Sequence, residues 1–405
     1  MAAIAAHRRP ARGGIGEIDL HQKAQALSAL KESYDRGFRD TDMTVRFEIG
    51  FTRYLAPNGK LVPGLPPFAA DAKTIIPLYE AMVRARVFDA KAVALWRTGR
   101  LGTFASSLGQ EAVAVGAASA MQETDVLLPS FREHGAQLWR GVTPVELLLY
   151  WGGDERGSDF KGPRQDFPVC VPVASHVPHA VGVALACKLR RERRAALCIL
   201  GDGATSKGDV AEALNIAGVW RLPVVFVINN NQWAISVPVS RQTAAETLAQ
   251  KGIAAGIPSL QVDGNDVVAV RMAVAGALER ARTGGGASLI EAITYRLADH
   301  TTADDASRYR DDADVSPHWL EEPLIRVRTF LTEAGLWSKK DEEHLLQETT
   351  AEIEAAATAY LGIPTQNVST IFDYTFEKLP EDLVTQRQHA LGRRVQSAAP
   401  PAVQS

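Results

Sequence analysis

Cysteine is scarce: Cys170, Cys187 and Cys198 are the only three in 405 residues. They form no CxxC spacing and no even framework, which argues against a disulfide scaffold or a structural zinc and for a reducing compartment. Long apolar runs are missing too, since none nears the roughly 18 residues that a spanning helix needs. Nor is there a charge excess. The 44 basic and 47 acidic residues leave a net charge of −3, so the chain has no basic field to draw nucleic acid or acidic lipid. Internal repeats are absent as well. What remains is the balance of a globular protein, 46% hydrophobic and 22% charged, with length for one large or two ordinary domains.

The first residues, MAAIAAHRRPARGG, are rich in Ala and Arg without acidic groups. They read as a polar tail, with a short transit peptide as the alternative. The tail passes into a polar helix around 20–35, giving a tail over 1–43. Over 44–70 the sequence reads as an arm. Val45, Phe47, Ile49 and Phe51 alternate with polar residues until Pro57, Asn58 and Gly59 interrupt, the pattern of a hairpin or an edge strand. A helix is expected over 71–98, from Ile75, Leu78, Met82 and Val83. Within 71–320, apolar runs at 196–200, 224–228 and 288–293 alternate with helical segments. That pattern predicts an α/β fold, a parallel sheet with helices on both faces. A charged helical region follows over 321–392, then a Pro/Ala tail over 393–405.

The most informative segment is 195–236. It reads as a strand, a Gly201-Asp202-Gly203 turn, a helix, a second strand and then Asn229-Asn230-Asn231. The helix is expected to bury Val210, Leu214, Ala217 and Trp220. Ligands of parallel sheets bind at the carboxyl ends of the strands, where Asp202 and Asn231 would meet. One carboxylate, one amide oxygen and a main-chain carbonyl suit magnesium, which keeps phosphate oxygens in its shell. The flanking glycines allow phosphates to approach the backbone. Gly-Asp-Gly alone is also a common structural turn; the second strand and its Asn cluster turn the reading toward a ligand. A dinucleotide fingerprint fails because Ser206 occupies the third glycine position, and a P-loop fails at Ser206-Lys207-Gly208.

This Gly-Asp-Gly to Asn-Asn pattern resembles the thiamine-diphosphate-binding signature, and the wider chain resembles alpha subunits of 2-oxo acid dehydrogenases. The likeness runs from about 44 to 390. It is carried by RTGRLGTFASSLGQEA (97–112), LLPSFREHG (127–135), GDGATSKGD (201–209), INNNQWAIS (228–236), QTAAETLAQKGIAAGIPSLQVDGND (242–266) and ITYRLADHTTADDASRYR (293–310). The resemblance implies Asp202, Asn231 and the Trp233 carbonyl as magnesium ligands. It implies Gly203 and Ala204 as main-chain donors to the diphosphate, with Arg132 and Arg296 contacting it. Phe131 stands where the family often has Tyr, leaving packing without a hydroxyl. Val171 and Val173 match positions whose backbone holds the aminopyrimidine ring, although as valines they read as core. His300 matches the catalytic-loop histidine, and Asp299 beside it is expected to raise its pKa. His176 is a second candidate, where relatives often have Gln. Thr301 and Thr302 match positions phosphorylated in some relatives, and no regulation is expected here.

The implied reaction is decarboxylation of a 2-oxo acid with acyl transfer to a lipoyl-bearing acyltransferase. The family takes a needed glutamate from a beta subunit, and no segment here reads as the missing pyrimidine-binding domain. A heterotetramer with that subunit is therefore expected, the 44–62 arm being a candidate for wrapping a partner. Segment 242–266 and the arm resemble the pyruvate enzymes, with a branched-chain 2-oxo acid as the alternative substrate. A bacterial cytoplasmic setting is expected, with the mitochondrial matrix as the alternative.

Overall fold

A computed structural model describes residues 28, 46–62 and 64–397. The chain divides into two units, 1–48 and 49–405. In the first, the described part is Ser28 and an exposed stretch where Arg46 pairs with Glu48 at 3.4 Å. The rest of the expected tail and of the 20–35 helix lies outside the described residues.

The second unit is built on six parallel strands. In chain order they are β1 (Phe51–Thr52), β2 (Val126–Leu128), β3 (Ala196–Gly201), β4 (Val224–Asn230), β7 (Ser259–Asp263) and β8 (Ser288–Ile293). A two-stranded ribbon of β5 (Trp233–Ala234) and β6 (Val237–Pro238) lies between β4 and β7 in sequence. Across the sheet the order is β1-β7-β8-β4-β3-β2. Because side chains alternate across a strand, β3 and β4 feed two cores. Cys198, Leu200, Phe226 and Ile228 join one face, against Val177, Val181, Val210 and Leu214. Leu197, Ile199, Val225 and Val227 join the other, against Val113, Ala117, Val270 and Val274. Both faces are thus covered by helices, as an all-parallel sheet requires. The expected α/β fold is the one observed.

Three details depart from the sequence reading. Trp220 ends its helix half exposed, while Val210, Leu214 and Ala217 are buried as expected. The helix expected over 71–98 is a short 3-10 turn, Ala72–Ile75, leading into the α-helix Ile76–Arg97. The arm is partly sheet. β1 pairs in parallel with β7, and only a single bridge, Leu55 to Leu61, makes a hairpin. The Asp266 carboxylate accepts from the Tyr54 and Leu55 amides at 2.6 and 2.7 Å while also capping the Val267–Arg282 helix. Residues 51–55 are therefore spent on the chain's own sheet edge, although Phe51 stays exposed. Among the described residues no helix is long and apolar enough to cross a membrane.

Candidate active site

β3 and β4 are neighbours with Gly201 opposite Asn229, so Asp202 and Asn231 both leave the sheet at its carboxyl edge. Both line one cavity of about 590 Å³, with Phe131, Arg132, Val171, Val173, Gly203, Ala204, Trp233 and His300. Of the expected cofactor, metal and catalytic residues, Arg296 is not on its wall; Asp299 and Thr302 also lie off it. Arg296 is fully buried behind His300 and donates to the Trp233 carbonyl at 3.4 Å, the Ile235 carbonyl at 2.8 Å and the Tyr309 hydroxyl at 2.8 Å.

Each strand tip is held by its own network. Asp202 Oδ2 accepts from Gln242 Nε2 at 2.9 Å, and burial raises its pKa. Asn231 Nδ2 donates to Gln110 Oε1 at 2.9 Å, and its Oδ1 accepts from the Trp233 amide at 3.2 Å. Gly203 is required by a close approach, since a Cβ there would lie 2.6 Å from that of Ala234. Ala174, Gln232 and Ile235 take left-handed φ values of 70°, 74° and 54°. Such conformations cost non-glycine residues on the order of 1 kcal/mol each and cluster at functional sites.

The electrostatics differ from the expectation for His300. Its Nδ1 lies 2.8 Å from Arg132 Nη2 and 3.2 Å from Arg296 Nη1. Guanidinium groups only donate, so Nδ1 must be the bare acceptor and the ring proton sits on Nε2. Burial first, then Arg132 and Arg296, push the pKa down to about 3. Asp299 does not raise it: its carboxylate accepts from the Ala306 amide at 2.9 Å. Asp304 is the acid that acts on His300, accepting from its amide at 2.9 Å. The reading of Val171 and Val173 as core is also overturned. They are 50% and 49% exposed, on a loop at the cavity rim. Phe131 packs edge-on to His300 with Arg132 over its ring, so packing is indeed its contribution.

Sequence reading did not single out Gln110 or Glu133, both buried and both lining the cavity. Gln110 falls within the LGQEA stretch of the first matching segment, but nothing in that stretch signals that its amide meets Asn231 across 121 positions.

The cavity fits an anion–cation pair. Arg132 and Arg296 are buried, and no carboxylate pairs with either among the described residues. Buried unpaired charge is costly and marks a site for a countercharge. Asp202 presents the opposite case, a desolvated carboxylate that makes no ion pair among the described residues and feels Arg296 only from a distance. Gln110 Nε2 and Asn229 Oδ1 are buried without partners among the described residues. These features define an α/β protein with a cavity of buried, unpaired polar and charged groups at its sheet edge.

Residues 79–367 match the dehydrogenase E1 component family. The chain is 43% identical over 311 residues to the 3-methyl-2-oxobutanoate dehydrogenase subunit alpha of Mycobacterium tuberculosis, a match covering 77% of this chain and 85% of that one. It is 38% identical over 348 residues to the pyruvate dehydrogenase E1 component subunit alpha of Staphylococcus aureus, covering 85% and 93%. The chain belongs to the dehydrogenase E1 component family, among the alpha subunits of thiamine-diphosphate-dependent 2-oxo acid dehydrogenases.

Proposed function

We propose that the cavity holds thiamine diphosphate through a magnesium ion and that the chain serves the oxidative decarboxylation of pyruvate, with acetyl transfer to a lipoyl-bearing acyltransferase. The observation that carries this is the pairing of an unneutralised Arg132 with a desolvated Asp202 in one cavity. Asp202, Asn231 and the Trp233 carbonyl would hold the metal, hard oxygen donors of the kind magnesium takes. The Gly203 and Ala204 amides and Arg132 would hold the diphosphate, with Arg296 adding charge from behind. The backbone at Val171 and Val173 would face the aminopyrimidine ring. The cofactor supplies the carbon nucleophile and the electron sink for decarboxylation. His300, neutral with its proton on Nε2, offers that N–H to a substrate or lipoyl atom. Burial, with the charges of Arg132 and Arg296, keeps Nδ1 unprotonated before a ligand arrives.

The activating carboxylate would come from a beta-type subunit, with the cofactor at the interface of a heterotetramer. A bacterial cytoplasmic setting belongs to the same reading, in keeping with the bacterial relatives. A second substrate reading, 3-methyl-2-oxobutanoate, has its own support in the match to the M. tuberculosis subunit.

Co-expression with a beta-type subunit tests both. With thiamine diphosphate and magnesium, decarboxylation should favour pyruvate. Preference for 3-methyl-2-oxobutanoate would transfer the assignment to the branched-chain enzyme. No turnover of either 2-oxo acid would refute the activity. Brisk turnover by this chain alone would refute the shared site.

A further inference from the structure

The loop carrying Val171 and Val173 is a stiff piece. The Ser175 hydroxyl and amide both donate to the Pro172 carbonyl, at 2.7 and 3.2 Å, and the Val177 amide donates to the Ala174 carbonyl at 3.0 Å. Ala174 within it has a φ of 70°. The Cys170 amide ties the upstream end of the piece to the Ser130 carbonyl at 3.4 Å, but nothing in these bonds fixes where it sits against β3.

His176 does. Its ring is 3% exposed, opens the helix His176–Leu189 and lines the cavity. Its Nε2 lies 2.9 Å from the carbonyl oxygen of Ile199 in β3. A carbonyl only accepts, so Nε2 carries the ring proton. Nδ1 is buried without a partner among the described residues, which leaves this one hydrogen bond as the ring's polar anchor. β2 stops opposite Cys198, so Ile199 has no pairing partner in β2, and its carbonyl is met by the imidazole. Ile199 is three residues before Asp202, which directly follows β3.

From this we infer that His176 is a positioning residue, a clamp that sets the span between the main chain at Val171–Val173 and the carboxylate of Asp202. The inference rests on the thiamine diphosphate reading, because those two points are where the ring end and the diphosphate end of that cofactor would be held. A ligand contacting only the diphosphate end does not use the span; one contacting both ends does. Burial lowers the pKa of the ring, which keeps it neutral, and the Ile199 carbonyl selects the tautomer with its proton on Nε2.

The test uses the full chain assembled with its beta-type subunit, and measures by calorimetry the affinity for thiamine diphosphate and for inorganic pyrophosphate, each with magnesium. Wild type should bind both; binding of neither would refute the cofactor reading itself, not the clamp. In His176→Phe, which removes the donor, thiamine diphosphate affinity should fall about tenfold or more, the loss of one oriented hydrogen bond, while pyrophosphate affinity stays within about twofold. His176→Gln, whose amide N–H can reach the carbonyl, should restore thiamine diphosphate affinity to within about threefold. Equal weakening of both ligands would mark His176 as merely structural. Unchanged thiamine diphosphate affinity in folded His176→Phe would also overturn the clamp. Should His176→Phe fail to fold, His176→Ser is measured in the same way. It is too short to reach the carbonyl and must give the same split.

Discussion

Two histidines hold a pKa near 3, each through burial first and Arg132 second, and differ in what else surrounds them. His134 is fully buried among rings, stacked on Phe104 with centroids 5.0 Å apart and flanked by Phe88 and Trp151. Trp151 Nε1 donates to its Nε2 at 3.0 Å. Burial is the first cause of its low pKa, with Arg132 second. His300 sits on a cavity wall between two guanidinium groups, so a like-charge field from Arg132 and Arg296 adds to the burial that comes first. Encasement in an apolar shell ends only on unfolding, whereas a charge field can be cancelled by a counterion. The first arrangement is structural; the second can respond to a ligand.

The largest expected effect separates them by function. His300→Ala should lower lipoyl acylation by about 10²–10⁴-fold, the usual worth of a positioned proton-transfer group. Cofactor affinity should stay close to wild type. His134→Ala should instead lower the melting temperature and leave per-site acylation largely intact. Single-turnover acylation beside thermal unfolding reads both, and equal activity losses would erase the distinction.

Acid stability provides the next contrast. Unfolded histidine binds a proton near pH 6.5, but folded His134 does so only near 3. The folded state is therefore favoured above 6.5 and loses stability as pH falls toward 3, by about 1.4 kcal/mol per pH unit for one proton. Urea midpoints from pH 6 to pH 4 should fall less steeply in His134→Gln, which keeps an acceptor for Trp151. An unchanged slope would contradict the burial account. Bound diphosphate should reduce the part of the His300 share that comes from Arg132 and Arg296 and spare that of His134.

A smaller effect tests the field itself. Arg132→Met should raise the pKa of His300 by about one unit while burial and Arg296 persist, readable by NMR titration of the ring. The pKa of His134 should move less, because burial dominates there. The smallest effect is expected from Phe131→Tyr, which restores a hydroxyl beside His300. It should change thiamine diphosphate affinity by no more than about tenfold, the range of one net hydrogen bond.

The sheet was legible because its signals are local. The apolar runs at 196–200 and 224–228 ended in Gly-Asp-Gly and the Asn cluster, and parallel pairing brought those ends together. Arg132, Asp202, Asn231 and His300 could be named from their segments, and all four line one cavity. The charge state of His300 was not legible, because it depends on Arg132, 168 positions away, while Asp299, adjacent in sequence, faces the Ala306 amide instead. Val171 and Val173 misled for a related reason. A valine in sequence looks the same whether it fills a core or rims an opening. The alternation through Phe51 announced extended chain at β1, but its parallel partner β7 was not legible, because Phe51 pairs with Gln261, far along the chain.

The close approach of Gly203 to Ala234 has an evolutionary consequence. A methyl on residue 203 would lie 2.6 Å from the one already on residue 234, so the two turns share room for a single methyl group. Substitutions at these positions should therefore arise in compensating pairs, Gly203→Ala being tolerated together with Ala234→Gly and rejected without it. Among descendants of this sequence the two columns should drift together.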